Sequence, residues 1–261
     1  MINTLLVGDI HLKGKLILPL LDNVIRDKNV QRVIFLGDYA DLYGQSKNIK
    51  LYAEDLTFLY SWQKEMQDRG IEIVNLVGNH DIYYLLGTPA PFSIESREVF
   101  YSVRDLLFDM GLQIAFQLED YLVSHAGYNF MFEPEPWHFE KITRKLLHEE
   151  ELEILAHAIG PMRGGGDLAG SPVWADLREM QLAPNPNFPK QIVGHTPKKS
   201  IDISSDIIGV DTFSIYLDSY FRYQFIGNGD LLLLTNGELE VIPTNWAIPE
   251  TLEKLPKPFT M

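Results

Sequence analysis

The stretch Ile71-Glu-Ile-Val-Asn-Leu-Val-Gly-Asn-His-Asp81 decides the reading of this chain. Residues 71–77 are mostly β-branched or leucine and read as a buried strand. Gly78 then lets the backbone turn sharply, and Asn79, His80 and Asp81 follow at once with side chains that bind metals or handle protons. An α/β protein presents chemistry in this way, with functional groups set just past the carboxyl end of a rigid strand.

Outward from this stretch the same arrangement recurs. Asn3–Gly8 is a short apolar strand followed by Asp9-Ile-His11, and Val30–Leu36 is closed by Gly37-Asp-Tyr-Ala-Asp41. Further along, Tyr121–Ser124 delivers His125-Ala-Gly127, and Lys190–Gly194 delivers His195-Thr-Pro197. Helices separate the first three strands. One spans Lys15–Lys28, where Pro19 sets the first turn near Leu18. The other spans Ile49–Arg69, with Tyr52, Leu56, Leu59, Trp62 and Met66 on one stripe and Gly70 as its stop. The order β-α-β-α-β implies parallel strands joined by right-handed crossovers.

Ser96–Met110 reads as another helix, and Leu112–Leu118 as a strand paired with Tyr121–Ser124 across a Glu119-Asp120 turn. Residues 129–189 have the character of an insertion that shapes the substrate site. They include an acidic helix from about Phe139 to Ile159, the cluster Arg163-Gly-Gly-Gly166 and the Pro184–Pro189 loop. The last third reads as antiparallel strands at Ile207–Val210, Tyr220–Gly227 and a hairpin over Leu231–Ile242 turned by Asn236-Gly237. The proline-rich tail from Pro243 is expected to pack as coil. No linker or composition break divides the chain, so a single domain over residues 1–261 is expected.

Composition narrows the class. A hydrophobic share of 46% and a charged share of 22% are those of a soluble globular protein. No apolar run approaches the length needed to cross a bilayer, and Met1 leads directly into a strand rather than a signal peptide. The absence of cysteine excludes disulfides, thiolate metal sites and cysteine nucleophiles, and fits a cytoplasmic location. A net charge of −14 argues against a broad grip on nucleic acid or an anionic membrane.

Asp9, His11, Asp38, Asn79, His125 and His195 are oxygen and imidazole donors, a set that suits Mn, Fe or Zn. Two cations held roughly 3.5–4 Å apart would bracket a phosphoryl group and bring a water's pKa toward ~7. An aspartate shared between them holds them that close, and Asp38 is central in the order. Taken singly, Gly8-Asp9 and Gly37-Asp38 read as turn punctuation, His125 as a core histidine and Asn79 as a helix cap. Independent turns, however, have no reason to set such residues at successive strand ends.

Gly8-Asp-Ile-His11, Gly37-Asp-Tyr-Ala-Asp41, Gly78-Asn-His-Asp81, Ser124-His-Ala-Gly127 and Gly194-His-Thr196 resemble the ordered motifs of the calcineurin-like metallophosphoesterase superfamily. The H-A-G and G-H-T-P forms are most similar to its phosphoprotein phosphatase branch, which includes bacterial protein phosphatases and symmetrical dinucleoside-tetraphosphate hydrolases. Trp174-Ala-Asp176 is similar to a W-S-D segment of that branch. The resemblance implies a four-layer α/β/β/α sandwich of two mixed sheets. It implies a hydrolase with two divalent metals, manganese first among them, that attacks a phosphomonoester with metal-bound hydroxide. Asp9, His11 and Asp38 would hold one metal, and Asp38, Asn79, His125 and His195 the other. His80 would be the general acid that protonates the leaving oxygen, oriented by Asp41. A nucleotide pyrophosphohydrolase or phosphodiesterase is the alternative. A non-catalytic scaffold would have lost ligands or His80, and none is lost.

The chain departs from the branch pattern in places. Pro197 stands where nucleases of the superfamily carry a second histidine, and Asp81 stands where the branch has glutamate. Leu12 replaces the glycine that follows the histidine of the first motif, and Leu42 replaces the phosphate-clamping arginine. A guanidinium fork is still expected near the phosphoryl group. Arg144, set mid-helix, reads as a solvated ion pair, and Arg178 has Asp176 and Glu179 as ordinary partners. Arg163 precedes three glycines whose backbone can approach a ligand, though the same residues read equally as a flexible loop with a surface charge.

Overall fold

The computed structural model describes residues 2–259, so the expectations for Met1 and for the last two residues of the chain lie outside it. In chain order the strands are β1 (Thr4–Val7), β2 (Arg32–Phe35), β3 (Glu72–Leu76), β4 (Leu112–Gln113), β5 (Ala115–Leu118) and β6 (Tyr121–Ser124). They continue as β7 (Gln191–Val193), β8 (Ile207–Gly209), β9 (Ile215–Leu217), β10 (Tyr223–Phe225), β11 (Leu231–Thr235) and β12 (Glu238–Ile242). The helices are α1 (Gly14–Asp27), α2 (Ile49–Asp68), α3 (Asp81–Leu86), α4 (Arg97–Met110), α5 (Glu149–His157), α6 (Leu177–Leu182) and α7 (Pro249–Glu253).

Two mixed sheets result, one of six strands in the order β12-β11-β1-β2-β3-β4 and one of four in the order β5-β6-β7-β8. The continuous apolar runs of the first sheet feed two cores at once, as strands buried on both faces must. Leu5, Val7, Val33, Phe35 and Ile73 pack in the cluster that holds the buried stripes of α1 and α2. Their alternates Leu6, Ile34, Leu36 and Val74 meet Val123, Ile192 and Ile208 of the second sheet. Ala126, Val193 and Ile207 are covered in turn by Leu177 and Met180 of α6. This is the four-layer α/β/β/α sandwich with two mixed sheets.

Several elements differ from the sequence reading. α1 begins at Gly14 and carries Pro19 inside it. Its start is set by Asp55, whose carboxylate accepts from Gly14 N at 2.9 Å and Lys15 N at 3.0 Å. Pro19 in the second turn then forgoes a single helical bond. Leu112–Leu118 is not one strand, because β4 pairs with β3 in the first sheet and β5 with β6 in the second. Sheets stacked about 10 Å apart cannot share a straight strand, so the chain crosses between them at Ile114.

The acidic helix from Phe139 to Ile159 shrinks to α5, and Arg144 is not mid-helix. Ile142 N bonds Leu112 O beside β4, Thr143 and Leu146 bond each other, and Arg144 reaches Asp105 and Asp109 of α4 at 3.0 and 3.1 Å. These contacts hold the segment out of helical geometry. β8 runs parallel to β7 rather than antiparallel, since residues 194–206 are long enough to cross over. β9 and β10 form a separate two-stranded ribbon. The tail is not all coil either, because Pro249 opens α7 at a position where its missing N–H costs nothing. Asn236 and Gly237 turn the last hairpin at φ 54° and 79°, as expected of that pair. Among the described residues no helix is long and apolar enough to cross a membrane.

Candidate metal centre

Close backbone approach comes first. Gly37 has φ +107°, and a Cβ on it would stand 2.5 Å from Gly78 N, so glycine lets the loops after β2 and β3 touch. Asp81 ties them. Its buried carboxylate accepts from Asp38 N at 2.7 Å and Gly78 N at 2.9 Å through Oδ2, and from Tyr39 N at 3.1 Å through Oδ1. Burial pushes this carboxyl up to about 6, against the downward pull of the three N–H donors. His11, Asp38, Asp41 and His195 all adopt left-handed backbone, with φ of 44°, 52°, 64° and 60°. Such conformations cost about 1–3 kcal/mol each and cluster where function over-determines the backbone.

The six expected donors converge. Asp38 Oδ2 lies 3.4 Å from His11 Nε2 and 3.6 Å from His125 Nε2. Asp9 Oδ2 is 3.9 Å from His11 Nε2, and Asp9 Oδ1 accepts from His195 N at 3.1 Å. Asn79 Oδ1 and His195 Nδ1 each stand 3.1 Å from His125 Nε2. Asn79 is therefore not a helix cap, and His80 flanks α3 without a side-chain cap bond. Donor atoms of His11, Asp38 and His80 lie within 4.8 Å of one another, as do those of Asp38, His125 and His195. Asp38 belongs to both groups.

The contacts between the Nε2 atoms of His11 and His125 and the side-chain oxygens lack protons. His125 Nδ1 faces Leu36 O at 2.7 Å, and His11 Nδ1 faces Ala40 O at 3.0 Å. A carbonyl only accepts, so each Nδ1 carries the hydrogen and each Nε2 turns a lone pair inward. Those lone pairs meet carboxylate and amide oxygens that are acceptors too, and His195 Nε2 is buried with no partner. Burial pushes Asp38 and Asp9 well up, reinforced by Asp9 and Asp81 for the first and by Asp211 for the second. It pulls His125 down to about 3 and lowers His11 and His195 as well. Crowded acceptors and carboxylates in a dry site fit divalent cations bound through oxygen and imidazole.

Beside them, His80 Nδ1 stands 3.2 Å from Asp41 Oδ2. The His80 ring packs on Phe92, centroids 3.9 Å apart, and edge-on to His11 at 4.9 Å. Arg163 Nη2 donates to His195 O at 3.0 Å and Thr196 Oγ1 at 2.9 Å. Its Nε is 3.0 Å from Asp176 Oδ2, yet misaligned, so it counts as a charge contact and not a hydrogen bond. Arg178 grips the same Asp176 through Nε at 2.8 Å and Nη2 at 3.1 Å.

Sequence reasoning missed several residues here. Asp211 is buried just past β8, the strand-end signal that marked the other carboxylates, and its Oδ1 has no partner. Lys13 is buried as well; burial pulls its amine down to about 8, against Asp211, Asp9, Asp55 and Asp38. Tyr52 and Tyr84 both donate to Asp41, yet Tyr52 reads in sequence only as one member of an apolar stripe.

A family model described as calcineurin-like phosphoesterase matches residues 2–199. A search of curated protein sequences finds no significant match. Among solved structures, a point mutant of a cold-active protein tyrosine phosphatase aligns at 17% identity over 92% of this chain and 77% of its own, with a TM-score of 0.55. A second cold-active protein tyrosine phosphatase structure aligns at 14% identity over 95% and 80%, with a TM-score of 0.50. A serine/threonine phosphatase from Saccharomyces cerevisiae aligns at 14% identity over 93% and 80%, with a TM-score of 0.49. At these identities the first two likenesses establish the fold.

Proposed function

The chain belongs to the calcineurin-like phosphoesterase family, hydrolases that act on phosphoester bonds, and on that footing we propose that it is a phosphomonoesterase working with two divalent cations. The observation that carries this reading is the convergence of two inward lone pairs, His11 Nε2 and His125 Nε2, on the one oxygen Asp38 Oδ2 at 3.4 and 3.6 Å. In this reading Asp9, His11 and Asp38 hold one cation, and Asp38, Asn79, His125 and His195 hold the other, with manganese as the native metal. Cations so held would polarise the phosphoryl oxygens and lower the pKa of the attacking water.

The chain's own residues do the rest. His80, mostly buried with one edge open to solvent and braced by Asp41, donates a proton to the departing oxygen. Arg163 binds the phosphoryl group. Its Nη2 is engaged by His195 O and Thr196 Oγ1 and its Nε lies against the Asp176 charge, which leaves Nη1 for an anion. Arg178, largely exposed and forked onto Asp176, supports that carboxylate instead. The chain acts as one domain, and residues 129–189 shape the substrate site by carrying Arg163 to the edge of the centre. Glu179 steadies this segment by accepting from Met162 N at 3.1 Å and Gly170 N at 3.0 Å.

Three substrates test the proposal with the purified, manganese-loaded protein: a phosphomonoester, a bis-phosphodiester and a dinucleoside tetraphosphate. Fastest turnover of the monoester, abolished by chelator and restored by Mn²⁺, is expected. Preference for either of the others would replace the phosphomonoesterase reading with a phosphodiesterase or pyrophosphohydrolase.

A further inference from the structure

Asp41 is itself held by a device that the family motifs do not contain. Its Oδ1 accepts from Tyr52 OH and from Tyr84 OH, each at 2.6 Å, leaving Oδ2 to face His80 Nδ1. The two phenols come from different helices, α2 and α3, and both are buried. A buried hydroxyl needs a partner, but that need does not require two of them to meet on one oxygen. Short bonds to a carboxylate are the strong, charge-assisted kind, and two arriving from different directions fix the rotation of the carboxyl group.

The same phenol reaches the other side of His80. Tyr84 OH accepts from Ile94 N at 3.2 Å and so anchors the loop whose Phe92 covers the imidazole. Burial, and next the charge of Asp41, push both phenols above their ordinary range, so they stay protonated and donating. Asp41 sits in left-handed backbone at φ 64°, and the two phenols fix its carboxyl group from the side-chain end.

We infer that Tyr52 and Tyr84 are positioning residues that lock the Asp41 carboxylate and, through it, hold the His80 imidazole toward the leaving-group oxygen. The inference rests on the reading of His80 as the proton donor.

The test uses the full, manganese-loaded chain as wild type, Tyr52→Phe/Tyr84→Phe, His80→Ala and the triple variant. Each is assayed on an alkyl phosphate, which needs a proton on leaving, and on p-nitrophenyl phosphate, which hardly does. The double variant should keep its metal content and KM. Its kcat should fall about tenfold on the alkyl phosphate and less than about twofold on the aryl one. In the His80→Ala background the same two changes should cost nothing further, since residues that act through His80 have nothing left to act on. An equal loss on both substrates, or a full additional loss without His80, would overturn the inference and make the tyrosines merely structural. Equal losses for His80→Ala itself on both substrates would overturn the reading of His80 beneath it, a distinguishable result. If the double variant does not fold, the single variants decide. Each should lower the alkyl-to-aryl ratio of kcat, and an unchanged ratio in both overturns the inference.

Discussion

Asp81 should be worth more to this protein than its place beside His80 suggests. Replacing it by alanine strands three N–H groups, Asp38 N, Tyr39 N and Gly78 N, in a region with no solvent access. A stranded buried donor costs about 1–3 kcal/mol, and water entering the vacated space recovers part, so the expected loss is about 3–5 kcal/mol. Relief of repulsion with Asp38 works the other way. Asp81→Asn gauges that relief, because it removes the charge but keeps the shape. Its amide nitrogen must still face one of the three donors, for a loss of about 1–3 kcal/mol. Urea unfolding of the metal-free proteins at pH 7, followed by tryptophan fluorescence, measures both. Two variants within about 0.5 kcal/mol of wild type would refute the idea that this carboxylate fastens the two loops together.

Arg163→Ala should lower kcat/KM by ~2–4 kcal/mol and weaken inhibition by phosphate or vanadate, while Arg178→Ala should do much less. Unchanged kinetics and inhibition in Arg163→Ala would remove it from the phosphoryl site. A separate prediction concerns acid. His138 Nδ1 accepts from Glu135 N at 3.1 Å and pairs with Tyr128 OH at 2.8 Å, so the ring is neutral, and burial, with His148 next, pulls it down to about 4. The unfolded chain takes up this proton near 6.5. Stability from the neutral ring is therefore complete above that pH and lost as pH falls toward 4, a swing of about 2–3 kcal/mol. Stability measured at pH 7 and 4.5 should fall less in His138→Gln than in wild type, and equal falls would contradict the assignment.

The strand ends were legible because each announces itself twice, by an apolar run and by a glycine or turn just after it. Gly37 and Gly78 could be placed on those grounds, and their contact explains why no side chain fits between them. What the sequence hid is what depends on residues far apart in the chain. Asp55 starting α1 and Arg144 reaching α4 from outside any helix are tertiary contacts that override local propensity. Tyr52 occupies a stripe that its ring alone would justify, so nothing local marks its hydroxyl as a partner of Asp41. Asp211 is within reach, as a carboxylate directly after an apolar run, but the antiparallel reading of that run hides that β8 lies parallel to β7 and ends beside it.

The most direct test is elemental analysis of the manganese-loaded protein beside its Asp38→Ala variant. Wild type should bind two cations per chain. The variant, deprived of the oxygen that stands 3.4 Å from His11 Nε2 and 3.6 Å from His125 Nε2, should lose or scramble both. Two cations retained per chain in Asp38→Ala would contradict a centre built around that shared carboxylate.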